Sequence, residues 1–87
     1  MEKAYNNLDL RFEKEWLILN ADNQIIKLKL KDISKKLSNA TVQELNDFKI
    51  TPSGYGIHWR LLDEDLSVNG LLKMARKKLS ESQIEAD

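Results

Sequence analysis

The sequence predicts an α+β fold: a small antiparallel sheet, built as a three-stranded meander plus a second short hairpin, packed against two or three short helices. Three observations carry this reading. Apolar and polar residues alternate strictly at 8–13 and again at 26–31, the period-two signature of strands with one buried face. The breaks between apolar segments are short and rich in Asn, Asp and Gly, as in strand-to-strand turns. Sustained helical spacing of apolar residues begins only near Val68.

Each element follows in order. Leu8-Asp9-Leu10-Arg11-Phe12-Glu13 reads as the first strand, and Lys14-Glu15 as a polar break. Trp16-Leu17-Ile18-Leu19 is an unbroken apolar run of strand formers and reads as the central strand, with Trp16 expected in the core. Asn20-Ala21-Asp22-Asn23-Gln24 has the composition of a turn. Ile26-Lys27-Leu28-Lys29-Leu30-Lys31 then alternates, with its three lysines expected on one face. Ile33 and Leu37 suit a single helical turn. Thr41-Val42-Gln43-Glu44 has the spacing of a capping box and predicts a helix of about two turns.

Phe48-Lys49-Ile50 and Ile57-His58-Trp59 read as the second hairpin, joined across Gly54-Tyr55-Gly56, whose two glycines can both supply positive φ. Trp59 and Tyr55 flank this turn and are expected to be partly exposed. Asp63-Glu64-Asp65 reads as an acidic lead into a helix capped by Ser67. Val68, Leu71, Leu72, Ala75 and Leu79 share one face of that helix, while Lys73, Arg76, Lys77 and Lys78 occupy another. Gly70 inside it costs about 1 kcal/mol relative to Ala, which implies a packing or close-approach reason. Residues 1–79 therefore read as one domain and 80–87 as a frayed polar tail.

Composition narrows the function classes. Eighty-seven residues suffice for one small domain, which buries only roughly 60% of its unfolded surface and relies on tight packing or a partner. Fourteen Lys plus Arg balance fourteen Asp plus Glu, against a wholly basic nucleic-acid coat or a wholly acidic mimic. With no cysteine, disulfides, thiolate metal sites and thiol nucleophiles are excluded. No apolar run approaches the roughly 20 residues of a membrane span. Met1-Glu2-Lys3-Ala4-Tyr5 leads into no apolar stretch of the secretory kind, so a cytoplasmic location is expected.

Gly54-Tyr55-Gly56-Ile57-His58-Trp59, then Leu62-Asp63-Glu64-Asp65-Leu66-Ser67-Val68 and Gly70-Leu71-Leu72, resembles the bacterial family called domain of unknown function 2442. Leu37, Ala40, Thr41, Glu44 and Leu45 fit the same family's upstream region, and the resemblance spans roughly residues 7 to 74. The chain departs from that pattern in two places. Asp22-Asn23 stands where members commonly carry Asp-Gly, and Arg60 stands where they commonly place Pro. The resemblance implies a small α+β fold and no established activity. Some longer relatives carry a following helix-turn-helix, and relatives often stand beside small partner proteins in toxin–antitoxin-like pairs.

Three constellations are candidates for chemistry. His58, the single histidine, lies five to seven residues before Asp63, Glu64 and Asp65, and a metal site or proton relay there, hence a metal-dependent enzyme centred on His58, is the third and least favoured functional reading. One imidazole and a linear acidic run reproduce no metal-site spacing, however. The favoured reading is a strand residue bonded to a local carboxylate or carbonyl, with the acids capping a helix. No nucleophile elbow and no phosphate loop is present, so catalysis is not expected and no cofactor is implied. The first functional reading is a non-catalytic protein-interaction or regulatory module, antitoxin-like in character, contacting its partner through Tyr55, His58, Trp59, Asp63, Glu64 and Asp65. The second is nucleic-acid binding through Lys27, Lys29, Lys31, Arg76, Lys77 and Lys78. Five lysines and one aspartate between Lys27 and Lys36 give a local charge of +4, and Lys73, Arg76, Lys77 and Lys78 give another. Whether these stripes share a face, and whether the chain self-associates, stays open at this level.

Overall fold

A computed structural model describes the backbone of residues 7–52 and 54–85, with side chains through Lys78. The architecture is α+β, with two three-stranded antiparallel sheets and four helices. The first sheet is the expected meander: β1 (Leu8–Glu13), β2 (Trp16–Ala21) and β3 (Gln24–Lys29), in the order β1-β2-β3. Lys14 takes φ 55° in the β1–β2 turn. The β2–β3 turn is tighter than its composition suggests, because Asn20, Ala21 and Gln24 all remain in the ladder. Asp22 and Asn23 alone turn the chain, at φ 48° and 73°, the left-handed pair that matches strand twist. Asn23 thus fills the position where the resemblance leads one to expect glycine.

The third alternating segment does not stay extended to its end. β3 stops at Lys29, and Leu30 and Lys31 enter a helical turn, α1 (Leu30–Ile33), followed by α2 (Lys35–Ser38). Buried Ser34 breaks the two: its hydroxyl accepts from the Leu37 N–H at 3.3 Å and donates to Glu64 at 2.5 Å. α3 (Val42–Asn46) carries both halves of the capping box, with Thr41 Oγ1 accepting from the Glu44 N–H at 3.1 Å and Glu44 Oε1 from the Thr41 N–H at 2.8 Å. Phe48 lies beyond this helix and opens a strand.

The second sheet holds a strand that the sequence did not suggest. β4 (Phe48–Ile50) and β5 (Gly56–Trp59) form the expected hairpin, and β6 (Glu64–Ser67) pairs along the far side of β5. The acidic segment is therefore a turn and an edge strand, not a helix lead. Its carboxylates are committed elsewhere: Asp65 to His58, and Glu64 to Ser34 and to the Asp65 N–H. Ser67 does cap α4 (Val68–Glu85), accepting from the Gly70 N–H at 3.1 Å. Of the two turn glycines only Gly54 has positive φ, 75°. Gly56 pairs with Ser67 of β6, and an added Cβ there would make ordinary contact with the Leu66 carbonyl oxygen at 3.4 Å. At Gly70 a Cβ would meet only the Ser67 side chain, at 3.4 Å or more, so no packing against another element requires the glycine.

One core joins both sheets to α4. Leu10, Leu17, Leu19, Ile26 and Leu28 point inward from the first sheet, Ile57 and Trp59 from the second, and Val68, Leu71, Leu72 and Ala75 from α4. Leu79 lies outside the described side chains, while the α4 backbone is helical through 80–85 of the segment read as a polar tail, whose residues 86–87 lie outside the described residues. Phe12, Phe48 and Trp59 meet at ring-centroid distances of 6.2–6.3 Å and lock β1 to the second sheet. The tryptophans reverse their expected roles. Trp59 is 0% exposed, its indole N–H donating to the Leu45 carbonyl at 2.9 Å, whereas Trp16 lies half-buried on the outer face of the first sheet. Strand parity decides this: Leu17, Leu19 and Ala21 take the inner face of β2, which sends Trp16 to the other.

Candidate functional site

The outer face of the first sheet is set by register. Trp16 pairs with Lys29 and Ile18 with Lys27, while Arg11 lies across from Ile18 on β1. The face therefore has an apolar centre under cationic side chains. The Lys27 Nζ lies 4.9 Å from the Trp16 ring centroid and the Lys29 Nζ 5.4 Å, both in cation–π range. Ile25, 67% exposed, extends the apolar row towards the β2–β3 turn.

Beside this face, Trp16, Lys27, Lys29, Lys31, Asp32 and Lys78 line a groove of about 380 Å³. Lys27 and Lys29 reach it from β3, Lys31 from α1 and Lys78 from α4. Although Lys31 is not on the strand, the turn into α1 keeps its side chain at the same groove. The two basic stripes thus converge in part: Arg76 and Lys77 are exposed on α4 but do not line the groove. Lys78 Nζ donates to Asp32 Oδ2 at 2.6 Å, and this bond holds the Asp32 carboxyl below its usual pKa. Desolvation opposes this as the next largest effect, and the charges of the Lys78, Lys31 and Lys29 ammonium groups each lower the pKa by less. Lys29 faces Glu15 at 4.0 Å, whereas Lys27 and Lys31 have no carboxylate partner among the described residues. The groove therefore carries uncompensated positive charge.

The six residues expected to meet a partner do not form one surface. Trp59 is in the core, and Glu64 turns inward to Ser34. His58 and Asp65 are opposite each other on the outer face of the second sheet, Nδ1 to Oδ1 at 2.6 Å. This is the local carboxylate bond favoured for the imidazole. Tyr55 is exposed before the start of β5, and Asp63, at φ 49°, lies beyond its other end, where its carbonyl accepts from Lys36 at 3.0 Å. Sequence reasoning missed the part played by Trp16. The one signal available was its parity relative to Leu17 and Leu19, which an unbroken apolar run conceals.

Known proteins bear on this arrangement in two ways. A family model described as protein of unknown function (DUF2442) matches residues 8–77. A crystal structure of a protein of unknown function from Rhodospirillum rubrum ATCC 11170, at 2.75 Å resolution, is similar at 27% sequence identity and a TM-score of 0.61, over 78% of this chain and 88% of that one. Among the curated proteins none matches.

Proposed function

We propose, for a chain that belongs to the DUF2442 family of proteins of unknown function, that it is a non-catalytic protein-interaction module that takes an acidic segment of a partner protein along the first sheet. The observation that carries this reading is the convergence of Lys27, Lys29, Lys31 and Lys78, from three separate elements, on a groove beside half-buried Trp16. Tryptophan is a frequent energetic anchor of protein interfaces, and lysines around it select negative charge. A short acidic segment suits the site better than a long polyanion. Asp9, Glu13 and Glu15 bound the same side of the sheet and would repel phosphates beyond the groove. The His58–Asp65 pair lies on an open sheet face, which excludes no water and favours binding over catalysis.

Trp16 is its own reporter. Titration with a glutamate-rich amphipathic peptide at low ionic strength is expected to change its fluorescence saturably, and Lys27→Glu with Lys31→Glu to abolish the change. Absence of saturable binding refutes the acidic-segment reading. A steeply salt-dependent response to an oligonucleotide, with none to peptide, would favour the nucleic-acid alternative. The finer role, the antitoxin-like member of a two-protein pair, rests on the resemblance and predicts co-purification with the product of an adjacent gene through the same lysines.

A further inference from the structure

The outer face of the second sheet holds a separate cluster that neither the core nor the proposed docking groove uses. Asp47, Lys49, His58 and Arg60 surround a cleft of about 260 Å³. Register places Lys49 directly across from His58, and Asp65 directly across from His58 on the other side. Two of the basic groups are held in place. The Asp65 carboxylate engages His58 Nδ1 at 2.6 Å, which restrains the ring beside the cleft. Asp47 grips Arg60 at two points, Nη2 at 2.9 Å and Nε at 3.4 Å, leaving further guanidinium N–H groups uncommitted. The Lys49 side chain has no hydrogen bond or ion pair among the described residues. Asp65 lies outside the cleft lining, so Lys49 contributes a charge that no acid there offsets beyond the Arg60–Asp47 pair.

We propose that this cleft binds a small oxyanion, a phosphate or carboxylate group, between the Lys49 ammonium and the Arg60 guanidinium, beside the His58 ring. A restrained guanidinium matches the planar spacing of two anionic oxygens, and a nearby ammonium adds a point charge without geometric demand. Holding the guanidinium by Asp47 reduces the ordering cost that binding would otherwise carry.

Because His58 is the only histidine, its ring resonances are unambiguous in the intact chain. Inorganic phosphate and acetate, titrated separately at constant pH and ionic strength, are the probes. Saturable movement of the His58 ring signals is expected, with Lys49→Gln and Arg60→Gln each weakening the affinity about fivefold or more, while Lys77→Gln on α4 leaves it unchanged. Tighter binding of phosphate assigns a phosphoryl ligand, and tighter binding of acetate assigns a carboxylate. Movement that stays linear in both anions overturns the proposal. So does an unchanged curve in Lys49→Gln and Arg60→Gln with Trp59 fluorescence still native. No residue of the first-sheet groove takes part, so failure here leaves the docking reading standing, and the converse holds.

Discussion

The Trp59 indole combines apolar burial with one satisfied polar group: the ring meets Phe12 and Phe48, and its N–H reaches the Leu45 carbonyl. Trp59→Phe leaves a void and removes that donor. It is expected to lower stability by about 2–3 kcal/mol, read from urea denaturation midpoints. Trp16→Phe leaves the core intact and loses chiefly the contacts to Lys27 and Lys29, so a loss below about 1 kcal/mol is expected in the same measurement. A reversed order would place the wrong tryptophan in the core. The His58–Asp65 bond was legible from the sequence as a local carboxylate contact. The choice of Asp65 over its two neighbours was not, because only the β5–β6 register sets them apart.

At the scale of elements, α1 and α4 are tied by the Lys78–Asp32 ion pair across 46 residues of sequence. The folded-state pKa of Asp32 is lowered, first by that hydrogen bond. The linked stability is therefore complete above the unfolded-state pKa, near 3.8, and is lost as pH falls through the lower folded-state value. Asp32→Asn is expected to lower stability at neutral pH, to flatten the acid limb of a stability–pH curve from the unfolded-state value of 3.8 downward, and to weaken the salt dependence. An acid limb identical to that of the parent chain would show that the pair contributes nothing. The capping box, the meander and the Ser67 cap were all legible, since each depends on residues within a few positions of one another. β6 was not legible: Glu64-Asp65-Leu66-Ser67 has weak strand propensity, and it is extended because the β5 edge is available to pair with it.

On the scale of the whole molecule, the two sheets share no strand and pack together through a common side-chain core. The contiguous core and the Phe12–Phe48–Trp59 cluster predict a single cooperative unit. Urea unfolding followed by Trp59 fluorescence, in a Trp16→Phe background, should coincide with unfolding followed by far-ultraviolet circular dichroism. Separated transitions would mean that each sheet melts alone. The sequence by itself determined the fold class, five of the six strands, the Thr41 and Ser67 helix caps and the presence of two basic stripes, because alternation, turn chemistry and capping act over short range. Only the tertiary structure decided which tryptophan is buried, where the acidic segment goes and which lysines meet. Those outcomes depend on strand parity, edge pairing and the packing of α4 against β3, which bring together groups that no local pattern connects.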